Sequence, residues 1–276
     1  MPADGPAGPD GAERLVRAPV ADLLAGPDAR APLVSQALLG EAVTVLEAVD
    51  GGAWLRVRAA LDGYEGVVAG AALDAGEGPA PTHVVTARAT LRFPGPGIKS
   101  SPATRLPLGA RLALVPDAAP TDEGLLACAD GAWAHGAHLA PLGAAPAHRT
   151  LLDAAAPWLG APYLWGGRTP AGCDCSGLVQ GAARACGIAL PRDSGDQERA
   201  VAEAVAPDER RADDLVFWPG HVAIVAADPA LVLHANAHTL SVALEPLADV
   251  VARAGAPSSV RRLARAPARP AARGPV

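Results

Sequence analysis

The chain has 276 residues, which is enough for about two domains whose hydrophobic cores need no metal or disulfide support. Hydrophobic residues make up 50% of it and charged residues 19%, so this is not the composition of a disordered chain. The net charge is −6 and Lys99 is the single lysine, which argues against a nucleic-acid partner.

The first residues, 1–17, are rich in Ala, Gly, Pro and Asp and lack a basic region followed by an apolar one, so we expect no secretory signal and a cytoplasmic location. The longest uncharged apolar stretch, 154–167, is shorter than the roughly 20 residues of a membrane-spanning helix. The sequence therefore predicts no membrane span. The four cysteines do not suggest a disulfide framework in a chain of this kind: Cys128, Cys173, Cys175 and Cys186.

The sequence pattern of the N-terminal third of the chain predicts a small all-β unit. Residues 1–30 are turn-rich and are expected to be partly disordered. Apolar and polar residues then alternate in 42–47 and 54–57, with a turn around Gly51 between them. We place this first β unit at residues 31–78; an alternative boundary includes part of 12–30.

A similar order recurs about 70 residues later. Both segments carry a Leu-Gly pair before a strand-like run and a Gly-Ala-Trp after it, at 39–40 and 52–54, and again at 108–109 and 131–133. We interpret this as a second copy of the β unit at residues 79–145. One larger β domain is the alternative.

A different domain is predicted at residues 146–264, where Leu151, Leu152, Ala155 and Leu159 follow helical spacing. Residues 265–276 are rich in Arg, Pro and Ala and are expected to be a disordered tail. Five of the nine aromatic residues lie in the domain at 146–264, and this concentration indicates either a pocket or the core of that domain. They are Trp158, Tyr163, Trp165, Phe217 and Trp218.

Cys175 is the candidate nucleophile. A Gly/Pro-rich loop at 166–172 leads into a run with helical apolar spacing, which Gly187 is expected to end. Cys175 would then lie at the helix N-terminus, where backbone N–H groups and the helix dipole favour a thiolate. Cys186 falls on the apolar face of the same helix and is expected to pack in the core.

Two histidines can complete a nucleophilic site. His221 opens one apolar run and His234 lies in the next, with the turn Asp228-Pro229 between them. A hairpin centred near residue 228 would make the histidines cross-strand neighbours to within one register step. His221 would be the base and His234 the residue that orients it. A metal site built from Cys173, Cys175 and both histidines stays an alternative, although Cys-x-Cys lacks the usual zinc spacing.

A second helix is predicted to begin with the capping box that runs from Ser194 to Gln197, and to extend through Glu203. Arg192 and Asp193, just before it, either border a cleft or are structural.

Taken in order, these motifs resemble the NlpC-type cell-wall cysteine peptidases across residues 149–263. The two β units resemble the bacterial SH3-like domains of the γ-D-glutamyl-L-diamino acid endopeptidases in that family. The resemblance implies an α+β fold, with a papain-like catalytic domain preceded by two small SH3-like β-barrels. The motifs that carry it are Tyr163-x-Trp165-Gly166-Gly167, Asp174-Cys175-Ser176-Gly177, Leu190-Pro191-Arg192-Asp193-Ser194, Asp214-Leu215-Val216-Phe217-Trp218, Gly220-His221-Val222-Ala223-Ile224 and His234-Ala235.

The same resemblance implies a division of roles. Cys175 would attack a γ-glutamyl carbonyl, His221 would act as general base and then acid, and His234 would orient His221. Further residues would bind the substrate: Tyr163, Asp174 and Ser176 would line the cleft, with Asp174 and Ser176 holding a free N-terminal L-Ala amine, and Tyr64 and Glu41 of the first SH3-like domain would close one end.

The expected function is a cysteine endopeptidase that cuts the bond between γ-D-Glu and diaminopimelate in short murein-derived peptides, in cell-wall recycling and without a cofactor. Another thiol-dependent amidase or transpeptidase, or a non-catalytic peptidoglycan-peptide binding protein, are the alternatives. Two positions depart from the family pattern. Cys173 replaces a bulky apolar residue and could be oxidised with Cys175, and Asp213 replaces a glycine.

Overall fold

A computed structural model describes residues 11–76 and 78–264. The tail expected at 265–276 and the first ten residues lie outside the described residues. The rest of the segment expected to be partly disordered contains two strands, Glu13–Leu15 and Val20–Leu24, which pair with later strands. No helix of the described residues is long and apolar enough to cross a membrane.

The first β unit is a six-stranded sheet in the order β1-β4-β5-β6-β2-β3. Alternate residues are buried in 42–45 and 54–59, so that Val43, Val45 and Val57 meet in one core. Closure of the two outer strands into a barrel is not seen among the described residues. The strands are β1 (Glu13–Leu15), β2 (Val20–Leu24), β3 (Leu33–Leu38), β4 (Ala42–Val49), β5 (Trp54–Ala59) and β6 (Glu65–Ala69).

The second β unit has a three-stranded sheet, β10-β7-β13, and a four-stranded sheet, β11-β12-β8-β9. Its buried cluster, which includes Leu106, Leu112 and Cys128, is distinct from that of the first unit. The strands are β7 (His83–Val85), β8 (Ala89–Phe93), β9 (Thr104–Pro107), β10 (Arg111–Leu112), β11 (Leu125–Ala127), β12 (Trp133–His135) and β13 (Leu139–Pro141).

The C-terminal unit packs helices on an antiparallel six-stranded sheet, β16-β21-β17-β18-β19-β20. Leu178 and Val179 of α2 meet Phe217 and Ile224 of the sheet in the largest buried cluster described. The elements are α1 (Leu151–Ala155), β14 (Arg168–Thr169), β15 (Gly172–Cys173), α2 (Cys175–Ala185), α3 (Ser194–Ala200), β16 (Glu203–Val205), β17 (Leu215–Trp218), β18 (His221–Val225), β19 (Leu231–Asn236), β20 (Ser241–Pro246), α4 (Leu247–Ala254) and β21 (Ser259–Arg262).

Two predicted helices differ from those observed. The first ends at Ala155, because Pro157 has no N–H to continue the ladder, and Leu159 is 54% exposed instead of buried. In the other, Asp193 and not Ser194 is the N-cap, and the helix ends at Ala200. The predicted capping box is therefore wrong.

The first β unit packs directly against the loop that precedes α2. Gly166 has φ +75, and a Cβ on it would lie 2.7 Å from Leu33 Cγ. Arg192 Nε also donates to Ser35 Oγ at 3.2 Å. These contacts fix the first β unit beside the start of the helix that carries Cys175.

Candidate active site

Cys175 is the first residue of α2, where the sequence predicts it. Asp174 is the N-cap, and its Oδ1 accepts the backbone N–H of Gly177 at 2.8 Å. The helix ends as predicted, with Gly187 at φ +77. Cys175 is 6% exposed, so the thiol sits in a nearly enclosed position at the helix start.

The two histidines are in hydrogen-bond contact. His221 Nε2 lies 2.8 Å from His234 Nδ1. The hairpin pairs Ile224 with Leu233, so the register is two residues away from one that would set the histidines directly opposite. They still meet, because a shift of two keeps both side chains on the same face of the sheet.

A carboxylate that the sequence analysis missed extends this contact. Glu245 Oε2 lies 2.8 Å from His234 Nε2, and Arg253 Nη2 donates to the same oxygen at 2.8 Å. Glu245 lies on β20, in a stretch that reads as ordinary strand alternation, and Arg253 lies on α4. The spacing of eleven residues from His234 to Glu245 gives no local signal of the contact.

The electrostatics of the thiol differ from the thiolate expected at a helix start. Burial raises the pKa of Cys175 to about 11, with the neighbouring Asp174 charge adding to the effect and two backbone N–H groups opposing it. Burial, with a smaller contribution from His234, lowers the pKa of His221 to about 4. At neutral pH both side chains are therefore uncharged at rest.

Asp174 is fully occupied by protein partners. Arg192 donates to Oδ1 at 2.9 Å and to Oδ2 at 2.7 Å, and the N–H of Gly166 donates to Oδ2 at 2.8 Å. The Arg192 side chain is 1% exposed. The sequence left the place of Arg192 open, and the structure makes it the buried partner of the residue before the candidate nucleophile.

Ser176 belongs to the same network. Its Oγ accepts from Arg192 Nη1 at 2.9 Å and donates to Asp174 Oδ1 at 3.3 Å. Its carbonyl accepts from Gln197 Nε2 at 3.0 Å, which explains why Gln197 points inward and does not cap its own helix. Ser176 is 5% exposed, so it supports the loop and presents little surface to a ligand.

Tyr64 of the first β unit contacts Asp193 of the catalytic unit. Burial, followed by the nearby Asp193 carboxylate, raises its pKa, and the two side chains share a hydrogen bond. Asp193 is exposed, unlike Asp174. Tyr163 also lies close by, and burial together with the neighbouring Cys175 raises its pKa to about 12.

Glu41 has a different place from the one expected for it. Its side chain is 3% exposed and is held by Arg168 at 3.1 Å and Arg184 at 2.9 Å. The backbone N–H of Leu38 also donates to it, at 3.0 Å. These contacts leave almost none of the carboxylate accessible to a substrate amine, and they make Glu41 an anchor between the first β unit and the catalytic unit.

The remaining thiols differ from Cys175 in environment. Cys173 is fully buried, and burial raises its pKa to about 12. Cys186 packs against the core beside α2 and donates to the Thr150 carbonyl at 3.2 Å. No cluster of three or more side chains suited to a metal ion occurs within residues 11–76 and 78–264. A cavity of about 330 Å³ at the junction of the three units lies behind α2 and does not include Cys175.

A cysteine at a helix N-terminus, packed on a sheet that presents two linked histidines, defines a cysteine hydrolase of the α+β class. The comparisons with known proteins give the family. Residues 160–252 match the NlpC/P60 family, and residues 23–73 match the bacterial dipeptidyl-peptidase SH3 domain. Residues 160–252 therefore form an NlpC/P60 cysteine peptidase domain, and a bacterial SH3 domain precedes it in the chain.

Named relatives fit this assignment. Dipeptidyl-peptidase 6 of Lysinibacillus sphaericus is 29% identical over 238 residues, which cover 80% of this chain and 87% of that protein. The γ-D-glutamyl-L-lysine dipeptidyl-peptidase of Bacillus subtilis is 43% identical over 68 residues, but the match spans only 23% of its length and 25% of this chain. An NlpC/P60 family protein from Bacillus cereus ATCC 10987 has the same fold, with a TM-score of 0.76 at 24% identity, covering 91% of this chain and 99% of that one.

Proposed function

We propose that the protein hydrolyses the bond between γ-D-Glu and the diamino acid in short murein-derived peptides with a free N-terminal L-Ala, as a step in cell-wall recycling in the cytoplasm. The observation that carries the proposal is the contact of His221 with His234, with Cys175 at a helix start and its Sγ 4.0 Å from the carbonyl oxygen of Gly220, the residue before His221. The name of the B. subtilis relative, γ-D-glutamyl-L-lysine dipeptidyl-peptidase, supports the substrate class.

The proposed reaction uses three side chains. Cys175 Sγ attacks the γ-glutamyl carbonyl carbon while His221 takes the thiol proton. His221 then gives that proton to the amine nitrogen of the leaving diamino acid, and a thioester remains on Cys175. Water, deprotonated by His221, attacks the thioester, and Cys175 recovers its proton as the acid leaves. His234 holds the His221 ring throughout.

We propose a different partner for the substrate amine from the one that the family resemblance implies. Both oxygens of Asp174 are taken by Arg192, and Ser176 is nearly buried. The exposed carboxylate of Asp193, beside the Tyr64 hydroxyl, is free to accept an ammonium group. A charge-assisted hydrogen bond at this position would make the enzyme select peptides with a free amine. Tyr163 would line the cleft between this end and Cys175.

The second β unit, in this proposal, is a second SH3-like domain. In both units the Leu-Gly pair has its glycine in the left-handed region, at Gly40 and Gly109, with φ +73 and +91. In both, the Gly-Ala-Trp tryptophan opens a strand, β5 or β12. The repeated turn and strand start support a repeated fold.

The decisive experiment uses the full chain with L-Ala-γ-D-Glu-meso-diaminopimelate and its N-acetylated form, with diaminopimelate release followed by mass spectrometry. Cleavage of the free peptide alone, lost in Cys175→Ala, is the expected result. Binding without cleavage would instead favour the peptide-binding alternative, and cleavage of unrelated γ-glutamyl amides would favour a broader amidase.

A further inference from the structure

His234 is enclosed by charged and titratable groups from three elements. His221 faces it from β18, Glu245 from β20 and Arg253 from α4 through Glu245. The His234 side chain is 1% exposed and that of Glu245 14%, while Arg253 is 32% exposed. The series therefore runs from the protein surface to the candidate base.

Two groups contact Nε2 of His234: Glu245 Oε2 at 2.8 Å and Asn236 Nδ2 at 3.3 Å. The shorter, charge-assisted contact with Glu245 decides the proton position on this nitrogen. An ionised carboxylate can only accept, so His234 must carry its proton on Nε2 to bond Glu245. A neutral imidazole protonated on Nε2 has its lone pair on Nδ1, so His221 must donate from its own Nε2. The lone pair of His221 is then on Nδ1, which is the nitrogen left free to take a proton.

We propose that Glu245 is a positioning residue: through His234 it fixes Nδ1 of His221 as the basic atom, with Arg253 holding the carboxylate in place. This inference rests on the proposed function, since it concerns the base of that reaction. A carboxylate that orients a histidine through its second ring nitrogen is an established way to set both tautomer and ring position. Here the carboxylate of Glu245 contacts the orienting histidine, His234, and not the base itself, His221.

Arg253 and Glu245 have opposite electrostatic effects on the histidines. The carboxylate favours a proton on His234, and the guanidinium disfavours it. Arg253 also helps to hold the pKa of Glu245 below its usual value against the effect of burial, so the carboxylate stays ionised. Removal of either residue should therefore shift protonation of the site in opposite directions.

The kinetic test compares Glu245→Ala, Glu245→Gln and Arg253→Ala in the full chain. Asp249→Asn, an exposed carboxylate on α4, is the matched control. We expect Glu245→Ala to lower kcat about 10- to 100-fold, as loss of a histidine's outer carboxylate commonly does, with KM little changed. Glu245→Gln keeps an acceptor for Nε2–H and should lose less. The acid-side midpoint of kcat/KM should fall in Glu245→Ala, rise in Arg253→Ala and stay unchanged in Asp249→Asn.

A second readout does not depend on turnover. The ¹⁵N shifts of the imidazole nitrogens report the tautomer directly, and we expect His234 to be protonated on Nε2 in the native chain and mixed in Glu245→Ala. If the native chain cleaves the tripeptide while Glu245→Ala retains its kcat, pH midpoint and tautomer, the positioning role is refuted. If the native chain cleaves nothing, the proposed function fails, and the nitrogen shifts still decide whether Glu245 sets the tautomer.

Discussion

The ring of His221 meets the ring of His234 edge-on, with centroids 5.1 Å apart and ring planes inclined at 62°. This geometry directs an N–H of one ring at a nitrogen lone pair of the other, which a stacked pair could not do. The contact is diagonal across the hairpin, and His234 to Glu245 is diagonal across the next strand pair. The series thus crosses three strands on one face of the sheet.

Replacement of His234 by alanine should lower kcat by roughly 10³-fold, because His221 loses the partner that sets its tautomer and orientation. Substrate binding should change little. Steady-state kinetics on the free tripeptide measure the loss, and His238→Ala, at an exposed position four residues away, is the control. A kcat within tenfold of the native value in His234→Ala would contradict the role.

Alkylation of Cys175 should accelerate only at alkaline pH. Because burial raises the pKa of this thiol to about 11, the thiolate population grows as pH rises toward that value and is small at neutrality. Iodoacetamide labelling of Cys175, followed by peptide mass spectrometry between pH 5 and 11, measures the midpoint, with Cys175→Ala as the blank. Labelling that is already maximal below pH 7 would show a resting thiolate and overturn the assigned neutral state.

The substitution Asp193→Asn should raise KM for the free-amine tripeptide by roughly 10- to 100-fold, since a hydrogen bond to a charged group is worth about 1.5–3 kcal/mol. The helix should tolerate the change, because Asp193 is the N-cap of α3 but makes no side-chain capping bond. Asp208→Asn, at an exposed acid remote from this contact, is the comparison. If Asp193→Asn and Asp208→Asn have equal KM values, Asp193 does not bind the substrate amine.

The substitution Glu41→Gln should destabilise the fold by about 3–5 kcal/mol, because it leaves the buried Arg168 without its counter-charge. Burial alone would raise the pKa of Glu41, but Arg168 and Arg184 hold it below its usual value. The stabilisation should therefore be present above the unfolded carboxyl pKa and disappear as the pH falls through the folded one. Urea titration at several pH values measures this.

The control for Glu41→Gln is Glu65→Gln. The Glu65 side chain is 41% exposed and pairs with Arg58 at 2.7 Å. Its expected cost is about 0–1 kcal/mol. If the two variants unfold at the same urea concentration, the buried anchor contributes no more than a surface pair.

The position of Cys175 at a helix start and the contact between the two histidines were predictable because their signals are local. The apolar spacing after Cys175 and the glycine at position 187 define a helix within a dozen residues. The two histidines lie in runs joined by a short turn, so even a register that differs by two leaves them on one face.

The contacts that the sequence did not reveal are those formed by docking between distant elements. Glu41 meets Arg168 across 127 positions, and Arg192 meets Ser35 across 157. No periodicity links such residues. Glu245 is only eleven residues from His234 in the sequence. The alternating pattern of its strand is ordinary, however, so no sequence signal distinguishes Glu245 from other exposed strand residues.

The close approach of Leu33 to Gly166 joins the first β unit to the catalytic unit. Gln36 accepts hydrogen bonds from both the main chain and the side chain of Arg168, and Ser35 accepts one from Arg192. The first β unit therefore supplies hydrogen-bond acceptors for two arginines of the catalytic unit. A catalytic fragment made without this unit would lose these hydrogen bonds and the partners that cover Arg168. The first β unit is therefore a structural part of the catalytic half of the molecule, and not a module joined to it only by a linker.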